Sequence, residues 1–332
     1  MIFRDNSLSE GDIAFICDMI LLYVPKLKSL KIITNNLYGD IFANKFISTL
    51  KLLKDLNYLD LTDNKIGDDD IKPFSEFLKT NKSIQTLLLD LNKMTSRSGF
   101  FLADALNKNH SIQSLSVNHN GITGSGLESL LNVISNNTQG LVHLNIADNK
   151  LQKDDFNQIA NFFNSNPSLQ ILDLSNNAIN PLCSNVLGVN LKKAKYLKCL
   201  KLNNTKMNEE SGPQFLSFIH ETNVEELELD MNIFGESGLF MIMNKIKNAS
   251  NIKKLSLKRC GMTPVFLNII AQNIIGNKNL EIVNLEGNDF EGSVFVKFCE
   301  DIKDKTNTKV IFTKDLLLEN IKDITNDNII LV

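Results

Sequence analysis

Tryptophan is absent from the 332 residues, and arginine is limited to Arg4, Arg97 and Arg259. Lysine supplies nearly all the positive charge, and the net charge is −3. That balance gives no general attraction for nucleic acid or an anionic membrane, and no basic stripe interleaved with aromatics is present. Long hydrophobic runs are also missing. The best candidate, Ile13 to Val24, falls short of the roughly 18 apolar residues a membrane span needs and contains Asp18. Only Arg4 lies upstream of it and no small-residue cleavage site follows, so no signal peptide is expected. Cysteine is sparse and odd in number: Cys17, Cys183, Cys199, Cys260 and Cys299, with no C-x-x-C. This excludes a disulfide framework and a standard zinc site, and it fits a reducing, cytoplasmic setting.

Catalytic patterns are missing as well. No phosphate-loop, dinucleotide-binding or nucleophile-elbow motif occurs, and no cysteine has a histidine base placed beside it by spacing. We therefore expect no enzyme activity, cofactor or metal. Asparagine, by contrast, is abundant, with 44 residues. Part of that excess is periodic.

The segment Leu56-Asn57-Tyr58-Leu59-Asp60-Leu61-Thr62-Asp63-Asn64-Lys65-Ile66 reads L-x-x-L-x-L-x-x-N-x-I. Ten copies begin at Leu27, Leu56, Ile84, Ile112, Leu141, Leu169, Leu197, Val224, Ile252 and Leu280. All four apolar positions are apolar in every copy. The ninth position holds Asn35, Asn64, Asn92, Asn120, Asn149, Asn177, Thr205, Asn232, Cys260 and Asn288. Between copies, apolar residues recur at helical spacing, as in Phe156, Ile159, Ala160 and Phe163. This pattern resembles the leucine-rich repeat over roughly residues 8 to 313, and its spacing resembles the ribonuclease-inhibitor-like subclass.

The resemblance implies an α/β fold: a right-handed solenoid, or horseshoe, of about 10–11 repeats. A parallel β-sheet would line the concave face and α-helices the convex face. Each strand reads as a short alternation with one buried side. Each ninth-position side chain would bond backbone groups that the turning chain leaves unpaired inside the stack. Thr205 and Cys260 should make weaker rungs. No linker divides the chain, so a single domain over 1–332 is expected. Residues 1–26 would form an N-terminal helical cap with no strand before it, 27–313 the repeats, and 314–332 a C-terminal cap. Within that last cap, Leu316 to Ile324 and the final Ile329 to Val332 would cover the C-terminal end, while Val310 to Phe312, at the end of the repeats, reads as a degenerate eleventh strand.

The third, fifth, seventh and eighth positions of each copy are expected on the open wall. They place Tyr58, Asp60, Asp90, His119, His143, Asp148 and Asp173 in a polar, mildly acidic part. Lys201, Glu226, Glu228, Asp230, Lys254, Lys258 and Arg259 follow in a part of alternating sign. Cys199 is expected exposed there. These charges form either a self-neutralised ladder or a surface that re-pairs on a partner. His119 and His143 stand on adjacent repeats in different columns and read as solvated wall residues. The resemblance implies a non-catalytic scaffold that binds a protein partner through the concave face or its rim, acting as a monomer. A GTPase-activating role like that of the Ran activators is the alternative, with Arg97 as its basic loop residue. A microbial effector aimed at signalling proteins is another.

Overall fold

The computed structural model describes residues 1–136, 140–165, 168–290, 292–313 and 326–332. The chain divides into two compact units, Met1–Asp173 and Leu174–Val332. Strand and helix alternate in each as far as the strand Lys309–Phe312.

The first unit holds β1 (Ile2–Arg4), α1 (Glu10–Tyr23), β2 (Ser29–Ile33), and a π-helical turn, Ile41–Phe46, that runs into α2 (Ile47–Leu52). It continues with β3 (Tyr58–Asp60), α3 (Asp68–Thr80), β4 (Thr86–Leu88), α4 (Ser96–Leu106) and β5 (Ser114–Ser116). Then come α5 (Gly124–Asn136), β6 (His143–Asn145), α6 (Lys153–Asn164) and β7 (Ile171–Asp173). Its strands pair in parallel with their sequence neighbours, and the repeats stay in register: Leu30 faces Leu59, Leu59 faces Leu87, and Leu144 faces Leu172.

The second unit holds α7 (Pro181–Leu191), β8 (Cys199–Lys201) and α8 (Ser211–Phe215), which tightens into a 3-10 turn over Leu216–Glu221. β9 (Glu226–Glu228), α9 (Gly235–Lys247), β10 (Lys254–Ser256), α10 (Val265–Ile274) and β11 (Ile282–Asn284) follow. α11 (Gly292–Ile302), β12 (Lys309–Phe312) and β13 (Ile329–Leu331) complete it. These strands are parallel too, with Leu227 opposite Leu255 and Leu255 opposite Val283.

The fourth and sixth positions of the repeat are essentially inaccessible in every copy, which makes them the inner wall of the core. Amphipathic helices cover them from behind: in α6, Phe156, Ile159, Ala160 and Phe163 are all buried. Close helix approach is written into small residues. A Cβ added to Gly126 on α5 would lie 2.0 Å from the Ser96 carbonyl oxygen at the start of α4.

The N-terminus differs from expectation. A strand does precede α1: β1 pairs with β2, with Phe3 opposite Ile32. Asn6 and Leu8 then occupy the ninth and eleventh positions of a truncated copy, and their amides point at Asn35 Oδ1. At the other end, β12 is the degenerate strand and β13 pairs with it in parallel, Phe312 opposite Leu331. The covering segment expected from Leu316 to Ile324 lies outside the described residues.

Candidate functional site: the strand wall

Asn92 shows how a rung is built in the first unit. Its Nδ2 donates to Leu89 and Asp90 carbonyls in its own repeat and to Leu61 O of the preceding one, at 2.9–3.0 Å. Its Oδ1 accepts the Asn64 and Ile66 amides, both at 3.0 Å. One buried side chain thus serves five backbone groups that a turning chain would otherwise leave unpaired. Asn35, Asn64, Asn120 and Asn149 make bonds of the same kind. In the second unit Asn232 and Asn288 do likewise around Thr205 and Cys260, and Asn177 donates to Leu174 O and Ser175 O.

The two non-asparagine rungs are weaker for visible reasons. Thr205 has no amide oxygen, so the Ile179 amide turns to the Thr205 backbone carbonyl, 2.8 Å away. Cys260 Sγ reaches the Leu229 and Lys258 carbonyls only at 3.5 Å. Burial pushes its thiol up to about 12, which keeps it neutral and unreactive.

The ladder has a consequence for the wall. The seventh-position amide does not use the regular sheet acceptor, the sixth-position carbonyl of the preceding repeat, which in the asparagine rungs is taken by the Asn side chain. Wall side chains take that amide instead. Asp60, Asn145 and Asn284 accept it from two residues on in the same strand, at 3.1, 2.9 and 3.1 Å. Asp90 accepts it from Asn118 one repeat on, at 2.8 Å. Ser175, Asn203 and Asp230 accept it from Asn203, Asp230 and Lys258 at 3.1, 2.9 and 2.9 Å. Asp60, Asp90 and Asp230 are therefore backbone acceptors as well as wall residues.

Asp60 is only 5% exposed. Burial raises the Asp90 carboxyl above the usual range, with Asp60 and Asp173 adding to the rise and the Ser116 hydroxyl and Asn118 amide opposing it. Asp230 is raised by burial in the same way, with Glu228 adding to it.

The eighth position is where the chain turns off the strand. In all ten copies this residue is left-handed, with φ between 50° and 69°, although only Gly287 is a glycine. Such a residue projects outward at the lip of the wall. His119 and Asp148 meet there across neighbouring repeats. Arg259 lies across Gly287, where an added Cβ would come within 2.6 Å of its side chain. In the first unit Tyr58 has the Lys31 Nζ 4.8 Å from its ring centroid, and His143 Nδ1 is 3.2 Å from Ser114 Oγ. The two histidines thus hold different partners.

In the second unit whole rungs alternate in sign. β8 and its lead-in present Lys198 and Lys201, and the β9 rung presents Glu225, Glu226, Glu228 and Asp230. The β10 rung presents Lys253, Lys254, Lys258 and Arg259, and the β11 rung Glu281 and Glu286. Lys201 bridges to Glu228 at 2.8 Å, Lys254 to Glu226, and Lys258 to Glu286. Glu225 stands between Lys198 and Lys253 at 2.6 and 2.7 Å, which lowers its carboxyl to about 2. The second-position row, Lys198, Glu225, Lys253 and Glu281, was outside the four positions assigned to the wall from sequence. Its alternation is nevertheless plain once read as a column. A shallow depression of about 250 Å³ lies between Glu226, Glu228, Lys254 and Lys258, with Ser256 at its floor.

Two expectations are corrected. Cys199 is buried, not exposed, because its short side chain lies opposite the longer Glu226 on β9. Arg97 is not a loop residue. It sits in the first turn of α4 and reaches Asp69 at 3.3 Å.

Short parallel strands in register, helices behind them and an asparagine at most of the turns mark the leucine-rich repeat. The family model described as Leucine Rich repeat matches residues 53–75, 108–131 and 165–181. The leucine-rich repeat-containing protein LegL7 from Legionella pneumophila is similar in structure, with a TM-score of 0.62 at 16% identity. That match covers 91% of this chain and 97% of the other. The C-terminal domain of a Caenorhabditis elegans tropomodulin matches at 15% identity and a TM-score of 0.37, over 46% of this chain and 90% of that one. No curated protein matches in sequence. The chain carries leucine-rich repeats and has their fold, and its 27–29-residue spacing is consistent with the ribonuclease-inhibitor-like subclass. Among the described residues no helix is long and apolar enough to cross a membrane.

Proposed function

We propose that this protein is a non-catalytic scaffold that binds another protein through the charged strand wall of its second unit. The observation that carries the reading is the rung-by-rung alternation of sign from β8 to β11. Exposed ion pairs of this kind contribute only about 0–1 kcal/mol each, so a partner can exchange them at little cost. The spacing also favours one partner geometry. Rungs repeat at about 4.8 Å, and side chains at i and i+3 or i+4 on a helix repeat at about 5–6 Å. A helix crossing the strands with acidic and basic residues alternating along one face matches both the period and the sign.

The test substitutes wall charges that do not hold the backbone. Glu226→Lys with Glu228→Lys turns the acidic rung basic while leaving Asp230 on the Lys258 amide. Quantitative affinity capture from the native cell should show specific proteins retained by the wild type and lost by this variant, with its melting temperature nearly unchanged. An identical set of retained proteins would place binding elsewhere. No observation favours the GTPase-activating alternative, since Arg97 is tied to Asp69 on a helix.

A further inference from the structure

Helix α1 is apolar on both sides. Its inner face, Ile13, Cys17 and Ile20, is buried against the first unit. Its outer side carries Phe15, Met19, Leu22 and Tyr23, exposed by 64%, 37%, 71% and 72%. Those spacings, i, i+4, i+7 and i+8, make one continuous stripe. A surface helix normally turns a polar face outward, as α3 does with Lys72 and Glu76. The only outward charge interrupting α1 near the stripe, Asp18, is occupied by Lys45 of the same unit at 2.5 Å.

Charge brackets the stripe asymmetrically. Glu10 and Asp12 are exposed at its N-terminal end, and Lys26 and Lys28 are exposed just past its C-terminal end. An antiparallel copy of α1 centred on Met19 brings Phe15 to Tyr23 and Ile16 to Leu22. The same arrangement brings the acidic N-terminal end of each helix, Glu10 and Asp12, toward the partner helix's C-terminal end, which Lys26 and Lys28 follow. The apolar stripe and the oppositely charged ends thus complement themselves in one antiparallel arrangement, which is what a twofold interface requires. The exposed aromatic and aliphatic surface of the four stripe residues amounts to about 450 Å² per copy, taking about 150–250 Å² for a whole aromatic side chain. That is roughly half the area per partner of a standard stable interface, so the contact belongs to the weak, concentration-dependent class.

We infer that α1 is a self-association surface, pairing antiparallel across a twofold axis through Met19 with a second copy of this chain. It departs from the monomer expected from sequence, and it is independent of the wall proposed above.

Sedimentation velocity over a concentration series, using the full chain, tests it. The wild type should show a monomer–dimer equilibrium, and Phe15→Asp with Leu22→Asp should weaken it at least tenfold. Both positions are exposed, and unchanged thermal melting would confirm that the fold survives. Glu10→Lys and Lys28→Glu should each weaken the dimer several-fold, whereas the two together should restore it. Met19→Cys should give a covalent dimer on mild oxidation, while Glu128→Cys on the exposed side of α5 should not; the native cysteines are all buried. A chain that stays monomeric at every concentration, with no Met19→Cys cross-link, would overturn the inference and assign the stripe to a different occupant. A dimer that persists in Phe15→Asp with Leu22→Asp would overturn it equally.

Discussion

Replacing Asn232 by alanine measures what a single rung contributes. Asn232 is fully buried. Its Oδ1 accepts the Thr205 and Met207 amides at 3.0 Å each, and its Nδ2 donates to the Leu202 and Leu229 carbonyls at 2.9 Å each. Alanine leaves both amides without an acceptor in a site too enclosed for bulk water. A buried polar group stripped of its partner costs about 1–3 kcal/mol, so two amides give a loss of about 4 kcal/mol. For a cooperative unit of this size, roughly 2–4 °C accompany each kcal/mol, which puts the fall in Tm at about 8–16 °C. Differential scanning calorimetry reads it directly, with Asn268→Ala on the exposed side of α10 as reference. A Tm for Asn232→Ala within two degrees of that reference would refute the ladder as a source of stability. The converse substitution, Cys260→Asn, should raise Tm, because it supplies the amide oxygen and stronger donors that the thiol lacks.

Asp90→Asn should be neutral or stabilising near pH 7. Oδ1 alone accepts both Ser116 Oγ at 2.5 Å and the Asn118 amide at 2.8 Å, so an amide keeps these bonds and removes a buried charge. Because the folded-state value of Asp90 is raised, the folded chain binds that proton first, and stability gains as pH falls from the raised value toward about 3.8. Urea midpoints of wild type and Asp90→Asn should therefore converge on mild acidification. Glu225 has the opposite sign: held at about 2, its contribution is complete above 4.5 and is lost as pH falls toward 2. Its exposure keeps that contribution small, and Glu225→Gln should remove the step. Gly126→Ala should destabilise the first unit severely, since its Cβ would meet the Ser96 carbonyl and push α4 and α5 apart. Leu91, exposed and left-handed at φ 54°, should accept asparagine with a gain of about 1 kcal/mol by chemical denaturation.

The architecture was legible because burial is periodic. Four apolar positions recur ten times with an asparagine after them in eight, and each structural repeat follows the pattern. What escaped was whatever the period does not encode. β1 was missed because one inward residue, Phe3, is too little signal for a strand. The left-handed eighth position was hidden because Asp63, Leu91, His119, Met231 and Arg259 share a backbone geometry and no side-chain chemistry. Asp90 and Asp230 read as free wall charges because alternation shows which way a side chain leaves the strand, and not that it folds back onto an amide. The alternating rungs were half visible. Glu225, Lys198 and Lys253 lay one position ahead of the columns assigned to the wall, yet they make its most strongly perturbed carboxylate. The α1 stripe was obscured by reading only the inner face of that helix.

Hydrogen exchange followed residue by residue tests the central claim, that repeats are locked together in register by side-chain rungs. The amides of Asn64, Ile66, Thr205 and Met207, which point at the asparagine of the following repeat, should be as protected as the strand amides beside them. In Asn232→Ala, Thr205 and Met207 should lose that protection selectively while Asn64 and Ile66 keep it. Rapid exchange at all four in the wild type, or an equal loss at all four in the variant, would contradict it.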